Sequence, residues 1–400
     1  MSGPFDGVRV LEVAAWTFVP GAGAIMADLG ADVVKVEPPG GDPQRALDKS
    51  LTADDSAPKP YIEIPNRGKR SITVDLRIRV GQHLLHRLAD TADVFLTSYL
   101  PAVRQRLRLD VDDLLAINPQ LIYVRGSGWG SRGTMTNVGA FDMAAAWAAA
   151  GTQYKLTPPG SNEPITQPPA FCDLQGSNSI AGAVAMALFR RERTGRGAVI
   201  DVSLLNTGMW AMSPDLFAAA QGGLPRQNRL TADNPIVNTY RTKDGRWLNL
   251  VCLQSDRFWA ELCGLLGRDD LAADARFADA TQRYNNRNAC IAELDATFAT
   301  RNLAEWQRAL ADFSGVWSTA ATFDEVRHSE QVAANGYLPE VIAHDGRPFQ
   351  LVAPPYQFDE EPTRPCGPAP EVGQHTEEVL LERGLSWEEI GACREQGALG

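Results

Sequence analysis

The opening of the chain commits it to a parallel β-sheet. Val8–Val13 is a short β-rich run, Ala14–Gly23 is loop-like, Ala24–Leu29 reads as a helix stopped by Gly30, and Asp32–Glu37 is a second apolar strand. Strands joined through a helix pair in parallel, and strands covered on both faces carry this kind of Val-rich run. The rhythm continues with a helix over His83–Leu88, a strand at Val94–Thr97, helices over Pro101–Leu107 and Val111–Ile117, and a strand at Leu121–Val124. An α/β sheet of four or five such units is therefore expected in the first part of the chain. The first loop, AAWTFVPGAG, lacks the early tight-turn glycines of a dinucleotide fingerprint, so a nicotinamide or flavin cofactor is not expected, and Glu37 alone does not supply that signal.

Between these units lies a Pro- and Gly-opened stretch, Pro38 to about Asn66, which reads as irregular and too polar for a core. The following segment, Asn66–Leu76, begins with Arg67, Lys69 and Arg70 and ends β-like, which would bring positive charge to the edge of the sheet. Gly126–Gly133 is a glycine loop carrying Trp129, placed after a strand where open α/β sheets hold ligands. Phe141–Ala150 is a small-residue helix, Pro158–Pro169 a linker, Ala198–Val202 a strand and Leu204–Ala220 a helix. Composition changes at Gly222–Pro225. Ile236–Tyr240 and Trp247–Val251 alternate across Lys243-Asp244-Gly245 as a hairpin, followed by helices over Arg257–Leu266, Arg283–Ala299 and Leu303–Ala311. Beyond Phe323 strand-like pieces return, and the chain closes with polar helices at Thr376–Arg383 and Trp387–Arg394.

Four hundred residues are more than one core usually serves, so two domains, or one with a large insert, are expected. A net charge of −11 argues against nucleic acid as a partner. The six cysteines are scattered without a CxxC pair and read as reduced thiols, neither disulfide frame nor metal site. With no secretory leader pattern and no apolar run of membrane-spanning length, the expectation is a cytoplasmic enzyme with no membrane partner.

One acid stands out. In Phe171-Cys172-Asp173-Leu174-Gln175-Gly176-Ser177 an aspartate precedes an apolar helix pattern from Ser177 to Arg193, with Ser177 as candidate N-cap and Gly195 as stop. A carboxylate just outside a helix start meets free N–H groups that keep it ionised and can stabilise an oxyanion, which suits an acyl-accepting nucleophile. A plain helix-start aspartate is the alternative.

Several ordered segments decide how these pieces are read together: GVRVLEVAAW, LGADVVKVEPPGGDPQR, NRGKRSITVDL, NPQLIYVRGSGWG, the CDLQGS acid, RTGRGAVIDVSLL, YRTKDGRW and GQHTEEVL. They resemble the family III CoA-transferases of the formyl-CoA transferase and carnitine CoA-transferase type. The resemblance implies an interlocked-ring homodimer. Its large Rossmann-like domain comes from both chain ends, residues 1–220 and 328–400, and its small α+β domain from residues 225–325. It implies acyl-CoA and a free carboxylic acid as substrates, no tightly bound cofactor and no metal, with Asp173 as the nucleophile. A carboxylate near its ordinary pKa would need no general base. Carried over by position, Thr17, Phe18, Val74, Arg77, Ser98, Tyr99, Arg106 and Phe141 are the expected CoA contacts, and the N–H groups near Gly176 and Ser177 the expected oxyanion donors.

The departures narrow the substrate. Thr97-Ser98-Tyr99-Leu100-Pro101-Ala102 stands where the family commonly has ENFRPG, Thr17 replaces the glutamine of formyl-CoA enzymes, and Asn228–Asp233 replaces their glycine-rich lid. These changes argue against oxalate or formate and for a larger, more apolar acyl group, with Trp16, Trp129 and Trp147 as candidate walls. Of the rivals, an acyl-CoA racemase would need a histidine where Phe141 stands, and none of the five histidines lies nearby in sequence. A non-catalytic acyl-CoA-binding protein would tolerate loss of Asp173.

Overall fold

Strand β1 (Arg9–Val13) shows how the sheet is built, because its side chains alternate between two buried layers. Val10 joins one apolar layer, and Leu11 and Val13 the other. The computed structural model describes residues 3–47, 57–226 and 228–400. Within it, β1 pairs in parallel with β2 (Asp32–Glu37) on one side and β4 (Val94–Thr97) on the other. With β3 (Arg70–Thr73), β5 (Ile122–Ser127) and β6 (Ala198–Ser203) the six-stranded sheet runs β3-β2-β1-β4-β5-β6. The strand order reverses between β1 and β4. In a doubly wound sheet that is where the loops leaving the C-terminal strand ends part and leave a crevice.

One face of the sheet is covered by the helices Phe18–Asp28 and Phe171–Thr194, whose Val19, Ala22, Ile180 and Val184 pack on Val33, Leu96 and Val124. The other is covered by the helix Arg79–Asp90 and by Thr376–Glu382, through Leu84, Leu88, Val379 and Leu380. The C-terminal segment also occupies the open edge of β3. His375 N donates to Ser71 O at 2.9 Å, Ser71 N to His375 Nδ1 at 3.2 Å, and Thr73 N to Thr376 Oγ1 at 3.2 Å. Just beyond β3, Asp75 N donates to Ala398 O at 2.9 Å.

This sheet belongs to a compact unit of Met1–Tyr154, Ile165–Gly223 and Glu330–Gly400. A second unit, Lys155–Pro164 with Leu224–Ser329, holds the hairpin β7 (Val237–Arg241) and β8 (Trp247–Val251), joined by a third strand, β9 (Trp317–Thr319). Its core forms where Tyr240, Leu248 and Leu250 meet Trp259, Leu294, Phe298 and Trp306.

Several expectations need correction. The stretch from Pro38 to Asn66 is not wholly irregular: Gln44–Leu47 and Pro60–Asn66 are short helices, and Asp42 and Gln44 are buried. Residues 48–56 of that stretch lie outside the described residues. Leu204–Ala220 is two helices, Leu204–Ala211 and Ser213–Ala219, because Pro214, in the first turn of the second, lacks the N–H a continuous helix needs. Arg283–Ala299 likewise contains parts of two, Ala280–Asn285 and Arg287–Phe298, which meet at Asn286. Among the described residues, no helix is long and apolar enough to cross a membrane.

Candidate active site

The helix carrying Asp173 starts at Phe171, not at Ser177, so Asp173 lies inside its first turn. The preceding residue, Ala170, has φ +63° and no side-chain oxygen, so it cannot cap the helix. The cap comes from elsewhere. Asp142 Oδ2 accepts from Cys172 N at 3.1 Å and Asp173 N at 3.4 Å, while Asp142 Oδ1 accepts from Met143 N at 2.7 Å. One buried carboxylate thus holds the starts of two helices, Phe171–Thr194 and the π-helical Met143–Ala148.

This arrangement corrects the reading of Ser177 and Gly176. Ser177 is no N-cap: its Oγ donates within the core to Phe18 O at 2.7 Å and Asp173 O at 2.9 Å. Both residues lie beyond the first four positions of the helix, where N–H groups are consumed by the helical ladder and cannot serve an oxyanion. Gly176 has a packing role. A Cβ there would fall 2.2 Å from Phe18 Cε2, so the glycine lets the Phe18 ring lie against the helix.

The expectation of an ordinary, fully ionised Asp173 also fails. Burial first, and Asp142 second, push its carboxyl up to about 7. No cation pairs with it among the described residues. Burial followed by the two carboxyls likewise pushes the Cys172 thiol up to about 11, so it stays neutral. Cys172 Sγ donates to Gln167 Oε1 at 3.1 Å, and the buried Gln167 Nε2 has no hydrogen-bond partner among the described residues.

At the switch point, the loops after β1 and β4 are tied together. Ser98 Oγ accepts from Ala15 N at 3.0 Å and donates to Ala15 O at 3.3 Å, drawing Ser98 and half-buried Tyr99 toward Trp16 and Thr17. Thr17 is buried, with its hydroxyl 2.9 Å from Gln44 Nε2. Trp16 has φ +71°, a strained conformation for a bulky residue; its N–H points to Asp42 Oδ1 at 3.3 Å. The Trp16 ring meets exposed Phe141 edge-on, with centroids 5.2 Å apart. The other proposed contacts are dispersed. Phe18 and Val74 bury their side chains in the core, Arg77 is exposed and paired with Asp75 at 2.7 Å, and Arg106 is exposed on the helix Pro101–Leu107. Of the candidate walls, Trp147 is core, with Nε1 donating to Ile165 O at 3.1 Å, and Trp129 is partly buried against the same layer.

The basic cluster after Asn66 does not bring free charge to the sheet edge. Lys69 is fully buried, with Nζ 2.7 Å from Glu12 Oε2, and Arg70 pairs with Asp32 at 2.7 Å. Glu12 is shared: its other oxygen lies 3.1 Å from Lys35 Nζ, which reaches Asp42 Oδ2 at 2.9 Å. Burial holds Lys69 down to about 8 despite Glu12. Burial opposes the charge on Lys35 too, but Glu12 and Asp42 outweigh it and keep that ammonium above its ordinary value. Since Asp42 also accepts the Trp16 amide, this ion network anchors the strained loop after β1.

The model of CoA-transferase family III matches residues 5–376. The chain belongs to CoA-transferase family III. It is an enzyme of that family. Among similar family members, it is 27% identical to an (R)-2-hydroxy-4-methylpentanoate CoA-transferase of Clostridioides difficile, over 96% of each chain. It is 31% identical to an alpha-methylacyl-CoA racemase of Mus musculus, over 96% of this chain and 94% of that one. A solved CaiB/BaiF family protein from Brucella suis superposes with a TM-score of 0.84 at 29% identity, covering 96% of this chain and all of that one.

For this family III chain, sequence reasoning singled out Asp173 but missed Asp142 and the Lys35–Asp42 pair. A signal for Asp142 was present: it is an acid directly before the run of small residues that starts at Met143, a cap position, but starting the expected helix at Phe141 placed it inside. Nothing local marked Lys35 or Asp42, because their meaning arises only when β2 is laid beside β1.

Proposed function

We propose that the enzyme moves CoA from an acyl-CoA to a free carboxylic acid, with Asp173 as the covalent carrier. The observation that carries this reading is a buried carboxyl in a helix first turn, free of any cationic partner among the described residues. An Asp173 oxygen attacks the thioester carbonyl carbon, the C–S bond breaks, and CoA leaves as thiolate with the electron pair. The thiolate then attacks the aspartyl carbon of the mixed anhydride and releases the donor acid as carboxylate, leaving an aspartyl-CoA thioester. The acceptor carboxylate attacks that thioester, and the returning thiolate attacks the acceptor's carbonyl, freeing Asp173 and the new acyl-CoA. Each step exchanges one acyl bond for another, so charge is passed between carboxylate and thiolate throughout.

The residues about this turn favour an apolar acyl group. Phe141, Met143, Phe171 and Leu174 are exposed around Asp142 and Asp173, and Trp16 backs Phe141. The branched hydrocarbon end of the 2-hydroxy acid in the name of the Clostridioides difficile relative supports the same class. Phe141, an aromatic hydrocarbon, cannot exchange a proton, which weighs against a racemase. Thr17, Ser98, Tyr99, Arg77, Arg106 and Phe141 are the side chains proposed to meet CoA, with Phe18 and Val74 shaping the crevice from beneath.

The enzyme is proposed to act in the cytoplasm as an interlocked homodimer. Met186 and Phe189 on the Asp173 helix, and Trp210 and Phe217 on the following helices, are bare, Trp210 being 82% exposed. Apolar exposure on this scale calls for a covering surface. The test is incubation with a panel of acyl-CoAs and carboxylic acids, read by mass spectrometry. New CoA esters and a CoA-sized adduct on the Asp173 peptide, both lost in Asp173→Asn, are expected. Turnover with no adduct on Asp173 in a quenched reaction, and undiminished in Asp173→Asn, would overturn the assignment.

A further inference from the structure

Asp142 lies thirty residues before Cys172 in sequence, yet it supplies the cap that Ala170 cannot. With φ +63° the backbone at position 170 is also outside the extended region from which a local N-cap side chain reaches these amides. Instead a buried carboxylate is brought against the turn that bears Asp173. Among the described residues Asp142 is the only charge acting on Asp173; the neighbouring Cys172 thiol is neutral, and the helix Phe18–Asp28 presents Phe18 and Gly21 to the next turn.

We infer that Asp142 is a positioning residue for the nucleophile: it fixes the turn that carries Asp173 and sets a second negative charge beside it. The inference rests on the reading of Asp173 as the acyl carrier. Two carboxylates in one buried corner repel, and water is not there to relieve them. When Asp173 attacks a thioester carbonyl, its charge leaves on the CoA thiolate as the C–S bond breaks, and the acylated Asp173 is neutral. Repulsion from Asp142 thus disfavours the free carboxylate and favours both covalent intermediates. A more basic carboxylate is also the better nucleophile once ionised.

The test separates charge from cap. Asp142→Asn keeps one acceptor oxygen and the shape but removes the charge, and Asp142→Ser keeps a capping hydroxyl. The Asp173 carboxyl is followed by ¹³C NMR in aspartate-labelled protein without substrate, assigned with Asp173→Asn, alongside the pH profile of kcat/KM. In the wild type, the Asp173 midpoint and the rising limb of kcat/KM are expected together near neutral pH. In Asp142→Asn both are expected to move at least half a pH unit lower, with less aspartyl-CoA adduct at equilibrium. A lower rate with an unmoved midpoint would reduce Asp142 to a structural cap and overturn the inference. If Asp142→Asn does not fold, Asp142→Ser and the wild-type titration decide, and a wild-type midpoint in the ordinary carboxylate range overturns it. A wild-type enzyme that titrates as expected but never forms an Asp173 adduct removes the functional reading, and this inference with it.

Discussion

The ring of Trp16 meets the ring of Phe141 edge-on at 5.2 Å, joining the strained loop after β1 to the residue next to Asp142. If this pair lines the acyl site, its loss should matter in proportion to the apolar size of the substrate. Phe141→Ala is expected to lower kcat/KM for a branched or aromatic acyl-CoA about tenfold while changing that for acetyl-CoA far less. Steady-state kinetics with the two donors checks it, and equal losses would place Phe141 outside the acyl site.

Glu12 is the carboxylate that two buried ammonium groups share. Glu12→Gln leaves Lys69 without a counter-charge in the interior, and a cost of about 3–5 kcal/mol is expected. Urea denaturation gives the number. A loss below about 1 kcal/mol, within the range of surface pairs, would show that the network is not anchoring the β1 loop.

Asp173 should make the fold weaker as the pH rises. Its carboxyl is raised from 3.8 to about 7, so between those values the folded enzyme holds a proton that the unfolded chain has released. Unfolding then releases a proton, and stability falls with rising pH until it levels off above about 7. Asp173→Asn removes this dependence. At pH 8 the Asn variant is expected to be more stable than wild type by on the order of 4 kcal/mol, with the difference vanishing toward pH 4. Thermal melts across that range measure it, and an Asn variant that is no more stable at pH 8 contradicts the raised carboxyl.

Ser177 and Gly176 support the helix rather than the oxyanion. Ser177→Ala should cost about 1 kcal/mol for its lost core hydrogen bonds, with kcat/KM reduced about threefold or less. Gly176→Ala, whose Cβ would fall 2.2 Å from Phe18 Cε2, should cost about 1–3 kcal/mol through overpacking. Denaturation and kinetics on the same preparations distinguish these roles; a hundredfold rate loss in a fully stable Ser177→Ala would restore Ser177 to the chemistry.

The parallel sheet was legible because strand and helix periods are local properties, and β1, β2 and β4 declared themselves through short apolar runs. Asp173 was legible for a similar reason, as an acid beside a strong helix pattern. Its position in that helix was misjudged because the cap is thirty residues away, so the N-cap signal at Ser177 was the only one the local sequence offered. The ionisation of Asp173 could not be read at all, since burial and the approach of Asp142 exist only after folding. Lys69 and Arg70 looked like surface charge for the same reason. Their partners Glu12 and Asp32 lie on other strands, so the sequence shows the cations without the acids that neutralise them.

The edge of β3 has a further consequence, because its amides are closed by His375 and Thr376 and, just past the strand, by Ala398, all of which follow β3 by about 300 residues of chain. Until they arrive, a growing polypeptide carries a bare row of strand N–H and C=O groups that another strand could pair with. The C-terminal helices are thus the guard against aggregation during synthesis. Variants clipped there should collect in inclusion bodies even though every residue of the Asp173 corner is still present.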